Sequence, residues 1–432
     1  MKINLKTILG MDARISKMGD FQELKHIEGL QVSAISAGLY KNKRDDTALF
    51  YFPDGANYAV AYTQNSIVSE SITWNRENTK NNIKALFVNT KNANTFTGEQ
   101  GLRSLDEIAK TLVESLRKKE KENGYEKTKI KDILFASTGV IGEKFPLEKI
   151  KSNIDNLVSN LRLNQNKIIW LKVASAIMTT DTRPKVAYSE IKFGDKIVRI
   201  AGIAKGSGMI APNLATMFSF IFTDADITST ILNKYLNKVL LKTFNAITVD
   251  SDTSTNDMVA IFSTRKIKNK KINTPTSIEA TKYQKALKTV CLDLAKQIVV
   301  DGEGAKKFIS IKIINSETEE RAKKIAFSIA NSPLVKTAVA GNDPNWGRIL
   351  MGIGKSGEKI DSKKIIIKLG NFIVAENGKI SDGYDEEKLQ DYMKDDAINI
   401  EVDLRQGKEE FECYTCDFTH DYIDINAHYR RS

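Results

Sequence analysis

Polar and apolar positions along the chain predict helices alternating with strands. Leu105, Ile108, Ala109, Leu112, Val113 and Leu116 recur at spacings of three and four, the period of an amphipathic helix. Ala286, Leu287, Val290, Cys291, Leu294, Ala295 and Ile298 repeat the pattern and predict a second. In "SETEERAKKIAFSIA", Ser316 followed three residues later by Glu319 reads as a capping box opening a third. Asp343 before Pro344 reads as an N-cap and first-turn proline for "PNWGRILMGIG". The runs "DILFAS", "KIVRIAGIA", "FISIKII", "KKIIIKL", "INIEVDL" and "FECYTCDF" read as strands. Together they predict an α/β fold of α+β layers rather than an all-β sandwich. No internal repeat, low-complexity stretch or Pro/Gly/Ser linker marks a domain boundary.

Composition narrows the class. A chain of 432 residues is long enough for a large core in two domains or lobes. Its 41% hydrophobic and 28% charged residues fit an ordinary globular protein. The formal charge of +11 raises the question of a nucleic-acid partner. The basic residues are, however, interleaved with 54 acidic ones, and the densest run (residues 116–132) mixes both signs like a solvated helix end and loop. No nucleic acid is expected as a partner. The first twenty residues lack an apolar core of signal-peptide length, and no apolar run is long enough for a bilayer. A cytoplasmic location without a membrane partner is expected by elimination.

Three cysteines are too few for a disulfide framework. Cys413 and Cys416 form a C-x-x-C inside "EEFECYTCDFTHDYIDI", which alternates like strands. His26, His420 and His428 show no metal-ligand spacing, so no metal is expected and the cysteine pair reads as structural. Two phosphate-loop lookalikes also fail. "GIGKSG" (352–357) ends like a Walker A loop, but Ile349 stands where that loop needs glycine, and a helix precedes it. "GSGMIA" (206–211) follows a strand, yet Pro212 comes at once where a dinucleotide fold would open a helix. No G-x-S-x-G elbow is present, and no cofactor is expected.

One stretch, "IAKGSGMIAPNLATMFSFIFTDAD" (203–226), combines a glycine-rich loop, a proline and a lone Thr216 before a dense apolar run. A threonine hydroxyl needs a base, and three scattered histidines do not offer one. An N-terminal threonine supplies its own, since its α-amine has a pKa of roughly 7.7–8.0. For Thr216 this requires a cut after Ala215, whose small side chain leaves its carbonyl accessible. Pro212 restrains the backbone upstream, while Gly206 and Gly208 permit unusual torsions. On residue chemistry alone, a β-branched residue entering a buried strand remains the simpler account of Thr216.

The wider sequence shifts that balance. "AKGSGMIAPNLATM" resembles the processing site of the ornithine acetyltransferases, also called glutamate N-acetyltransferases. "NANTFTGEQG", "ASTGVIG", "AIMTTDTRPK", "VDSDTSTNDMV", "IVVDGEGAKKF", "SPLVKTAVAGNDPNWGRI" and "INAHYRRS" have counterparts in that family, in the same order. The resemblance implies a self-processing acyltransferase fold, similar also to that of self-processing aminopeptidases. It implies a cut between Ala215 and Thr216, an α chain of residues 1–215, a β chain of 216–432, and an (αβ)2 assembly. Thr216 would take the acetyl group from N2-acetylornithine and pass it to glutamate. Thr138 and Gly139 match the oxyanion pair. Thr179, Lys205, Glu303, Asn426 and Ser432 match substrate contacts, with Glu303 facing the ornithine ammonium.

Asn342, Asp343, Trp346 and Arg348 are explained equally well by capping and packing, and "VDSDTSTND" (249–257) by structural hydrogen bonds near the site. Two positions depart from the family pattern. Lys91 precedes "NAN" where a small residue or glycine is usual, and two arginines rather than one precede Ser432. Three rival functions stay open: use of acetyl-CoA as a further donor, hydrolysis of the acyl-enzyme, and nucleic-acid binding with the motifs as packing.

Overall fold

The computed structural model describes residues 21–79, 82–211 and 217–427. It falls into two compact units. The first takes its described residues from Met1–Gly206, Asn213–Thr243 and Thr253–Leu294. The second takes them from Ser207–Pro212, Phe244–Asp252 and Ala295–Ser432. Each unit draws on both sides of position 215.

The first unit carries β1 (Gln31–Ile35), β2 (Thr47–Tyr62), β3 (Ile83–Asn89), β4 (Ile133–Ser137), β5 (Lys185–Phe193), β6 (Lys196–Lys205), β7 (Phe218–Thr223) and β8 (Met258–Ser263). They form one sheet in the order β4-β3-β2-β8-β7-β6-β5, with β1 also on β2. The β3–β4 and β7–β8 pairs are parallel and the others antiparallel. Alternation along β2 sends Phe50 and Phe52 into one core with Phe218, Phe220, Phe222 and Trp170. Leu49 and Tyr51 enter another, beneath Leu105, Ile108, Leu112 and Leu116 of the helix Gly98–Asn123. That helix is the first one predicted, and Gly124 ends it at φ 71°.

β2 runs unbroken through Pro53, Asp54 and Gly55, a tripeptide that looks like a turn. A register shift against β3 between Tyr51 and Ala56 absorbs it, and from Asn57 onward the strand pairs with β8 instead.

The second unit carries β9 (Phe308–Ser316), β10 (Ile366–Leu369), β11 (Phe372–Glu376), β12 (Lys379–Ile380), β13 (Ala397–Asp403) and β14 (Glu409–Cys416). Their order is β12-β11-β10-β13-β9-β14. Ile309, Ile311 and Ile313 of β9 pack with Ile325 and Ile329 of the helix Glu319–Ala330 and with Ile349 and Ile353 of the helix Trp346–Gly354. The mixed α/β architecture read from the sequence is what the chain adopts. The second predicted helix is also present as Ile278–Val300, its residues divided between the units after Leu294.

Three local expectations are corrected. Thr318, not Ser316, caps the helix Glu319–Ala330, accepting from the Arg321 N–H, because Ser316 is already paired with Glu409 in the sheet. Asn345, not Asp343, caps Trp346–Gly354, and Pro344 lies before the helix. The strand pattern expected through residue 425 stops at Cys416. There the Asp417 carboxylate accepts from Lys306 N and Lys307 N at 2.8 and 2.9 Å and turns the chain into the helix His420–Ala427. Cys413 and Cys416 are both buried and free. Three residues apart on a strand, they lie on opposite faces, which rules out a shared ligand site. Among the described residues no cluster of His, Cys, Asp or Glu could hold a metal, and no helix is long and apolar enough to cross a membrane.

Candidate acyl-transfer site

In the first unit, β4 delivers the expected oxyanion pair. Thr138 follows the strand directly and is 3% exposed. Its N–H donates to Asn89 O at 3.1 Å, and Val140 N donates to Lys91 O at 3.0 Å, so Gly139 is clamped between two main-chain bonds. Gly139 has φ 136°, and a Cβ there would overlap the main-chain carbonyl of Lys91 and the nitrogen of Asn92. Only glycine fits. The opposing loop is itself wound: Lys91, Asn94 and Phe96 have φ of 69°, 47° and 59°. Lys91 therefore occupies left-handed backbone, where glycine would be less strained. Asn256, from the hydroxyl-rich loop, ties both sides together: its Nδ2 donates to Ala93 O and to Ser137 O at 2.5 and 2.8 Å.

The same unit joins two expected substrate contacts that lie 26 residues apart. Lys205, at the end of β6, is 2% exposed, and its Nζ donates to Thr179 Oγ1 at 3.2 Å. Beside them lies Asp181, which sequence reasoning passed over. Its Oδ1 accepts from Lys185 Nζ at 2.6 Å and from Gly206 N at 2.7 Å, and its Oδ2 from Thr179 N at 3.1 Å. Burial opposes ionisation of Asp181, but Lys185, Lys205 and the Gly206 N–H outweigh it and hold the carboxyl below the usual carboxylate range. Asp257 behaves oppositely. Burial pushes its carboxyl well above the usual range, against the Met217 N–H at 2.7 Å and the Lys205 ammonium.

In the second unit, the glycine-rich loop is tied down residue by residue. Glu303 N donates to Ser207 O at 2.8 Å, and Val249 N to Ile210 O at 2.8 Å. The Asp250 carboxylate accepts from Met209 N and Ile210 N at 2.5 and 2.9 Å. Gly208 lies close to Glu303, and a Cβ there would have to displace the Glu303 carboxylate. Glu303 is 8% exposed, and its Oε2 accepts from Asn426 Nδ2 at 2.8 Å, so these two expected contacts also come together. Ala215, Thr216 and Ser432 lie outside the described residues.

Asp181, Lys185, Asp250 and Asp257 were not named from the sequence. The signal available was position: Asp181 sits inside "TTDT", and Asp250 and Asp257 inside "VDSDTSTND", so the acidic loop does supply the structural hydrogen bonds expected of it.

Comparison with known proteins covers nearly all of this chain. Residues 31–431 match the model of the ArgJ family. The arginine biosynthesis bifunctional protein ArgJ of Zymomonas mobilis is 41% identical over 410 residues, 94% of this chain and 96% of the relative. Its namesake from Gluconobacter oxydans is 40% identical over 409 residues, 94% and 93% of the two chains. A solved chain of the Bacillus halodurans ArgJ is 40% identical, covers 48% of this chain and 97% of its own, and superposes with a TM-score of 0.47. These relationships define an acyltransferase of arginine biosynthesis. The chain belongs to the ArgJ family, and the ornithine acetyltransferase resemblance carried by its motifs is borne out.

Proposed function

We propose that this enzyme cuts itself between Ala215 and Thr216 and then carries acetyl from N2-acetylornithine to glutamate on the Thr216 hydroxyl. The observation that supports the substrate assignment is the buried Lys205–Thr179 pair at 3.2 Å. An ammonium held on a hydroxyl away from water attracts a carboxylate, and both amino acids carry one at the α position.

In self-cleavage the Thr216 hydroxyl adds to the Ala215 carbonyl, the C–N bond breaks, and water opens the resulting ester. The freed α-amine is then the base. In transfer, Thr216 Oγ attacks the acetyl carbonyl while Thr138 Oγ–H and Gly139 N–H receive the oxyanion. The proton passes through the α-amine to the departing ornithine nitrogen. The glutamate amine then attacks the acetyl ester and regenerates the hydroxyl. Glu303, joined by Asn426, is assigned to the ornithine ammonium, and Ser432 to a terminal contact.

The α and β chains stay together, in an (αβ)2 assembly, and the enzyme works in the cytoplasm on small molecules without a cofactor. Acetyl-CoA as a second donor is favoured by one observation only, the word "bifunctional" in the relatives' names.

Denaturing electrophoresis with mass measurement tests the reading. Wild type is expected as two pieces, residues 1–215 and 216–432, and Thr216→Ala as one chain. An uncut wild type that transfers acetyl groups would refute the N-terminal-threonine mechanism. Mixing glutamate with acetylornithine, and separately with acetyl-CoA, identifies the donors.

A further inference from the structure

One buried charge in the first unit, Asp181, carries three hydrogen bonds that no expected role absorbs. Asp181 follows the helix Lys167–Ala176 and precedes β5. Its carboxylate accepts from the backbone of Thr179 and from the backbone of Gly206, the residue after Lys205. Both substrate-contact residues are thus tied, directly or through a neighbouring peptide, to the same two oxygen atoms. Lys185 closes the arrangement at 2.6 Å, and its own strand partner is Ala204, just before Lys205.

We propose that Asp181 is a positioning residue that sets the geometry of the Thr179 hydroxyl and the Lys205 ammonium for the α-carboxylate of both amino-acid substrates. This rests on the carboxylate role given above to Lys205. Asp181 does not touch substrate. It anchors the two segments that meet at the 3.2 Å Nζ–Oγ1 contact, and its charge faces the Lys205 ammonium, which is 2% exposed. A group common to donor and acceptor makes a specific demand: disturbing Asp181 must weaken both substrates together. Glu303, assigned to the ornithine side chain, must not behave this way.

Removing the carboxylate also takes the 2.6 Å ion pair away from the buried Lys185 ammonium, at a cost in stability. The structural part is therefore separated by a double variant. Asp181→Asn is expected to lower the melting temperature, and Asp181→Asn with Lys185→Met to restore most of it. In that restored protein, KM for N2-acetylornithine and for glutamate should both remain raised about tenfold or more, with kcat within about threefold of wild type. Wild-type KM values in the double variant would overturn the proposal, because the carboxylate would then serve only its ion pair. A rise for one substrate alone would overturn it too. Asp181→Glu, which keeps the charge and displaces the oxygens, decides the matter if the double variant fails to fold: raised KM for both supports the proposal, unchanged KM ends it. Lys205→Met is measured alongside. If its KM values are unchanged, the carboxylate reading of Lys205 itself fails; if they rise while those of the Asp181 variants do not, only the inference about Asp181 fails.

Discussion

Gly139→Ala tests the oxyanion loop where sterics and chemistry predict separate losses. At φ 136° an alanine sits in backbone that L-residues rarely adopt, which costs about 1–3 kcal/mol. The added methyl would overlap main-chain atoms of Lys91 and Asn92, which cannot rotate away as a side chain could. The loop must therefore shift, weakening the 3.1 Å Thr138–Asn89 and 3.0 Å Val140–Lys91 bonds at about 1 kcal/mol each. The sum is about 3–5 kcal/mol, or roughly 6–20 °C in melting temperature for a unit of this size. If Gly139 N–H also faces the oxyanion, misaiming it lowers kcat by a further ~10²–10³. Thermal melting and initial rates of acetyl transfer, measured at a temperature where the variant is folded, separate the two effects. A variant melting within about 2 °C of wild type and turning over within threefold would show that Gly139 is neither crowded nor a donor, against the reasoning.

Glu303→Gln is expected to raise KM for N2-acetylornithine about tenfold or more and to leave KM for glutamate nearly unchanged, since only ornithine brings a side-chain ammonium; equal effects on both would count against that assignment. Asp224 offers a pH test. It is fully buried, and burial raises its carboxyl from 3.8 to about 6 against the Arg199 N–H and guanidinium. An acid with a raised folded value contributes stability that is complete below about pH 4 and lost as pH rises through about 6, here about 3 kcal/mol. Asp224→Asn should therefore melt progressively higher relative to wild type between pH 4 and pH 7, and a difference independent of pH would contradict this. Dialysis against a chelator is expected to leave the transfer rate within about twofold, and a loss restored by one added metal would overturn the metal-free mechanism.

Much of the architecture was legible because period and burial agree in one-sided elements. The helix Gly98–Asn123 shows its apolar stripe, and β9 alternates Ile309, Ile311 and Ile313 toward one core. The centre of the first sheet was harder to read. β2, β7 and β8 are buried on both faces, so they carry no polar alternation, and β2 hides a Pro-Asp-Gly inside a strand. Both caps slipped by two residues for a related reason. Ser316 and Asp343 look like caps locally, but a sheet partner claims Ser316 and Asn345 captures the helix start.

By itself, then, the sequence determined the class of protein, because motifs in a fixed order are properties of the chain alone. Partnership was decided only by the tertiary structure. That Thr179 meets Lys205, that Glu303 meets Asn426 across 123 residues, and that the Asp181 carboxyl is pushed down while that of Asp257 is pushed up depend on groups brought near by the fold. The two aspartates are identical in sequence terms. Two neighbouring ammonium groups and two N–H donors stabilise the charge of one; for the other, burial outweighs one N–H, a single shared ammonium and the Ser254 side chain.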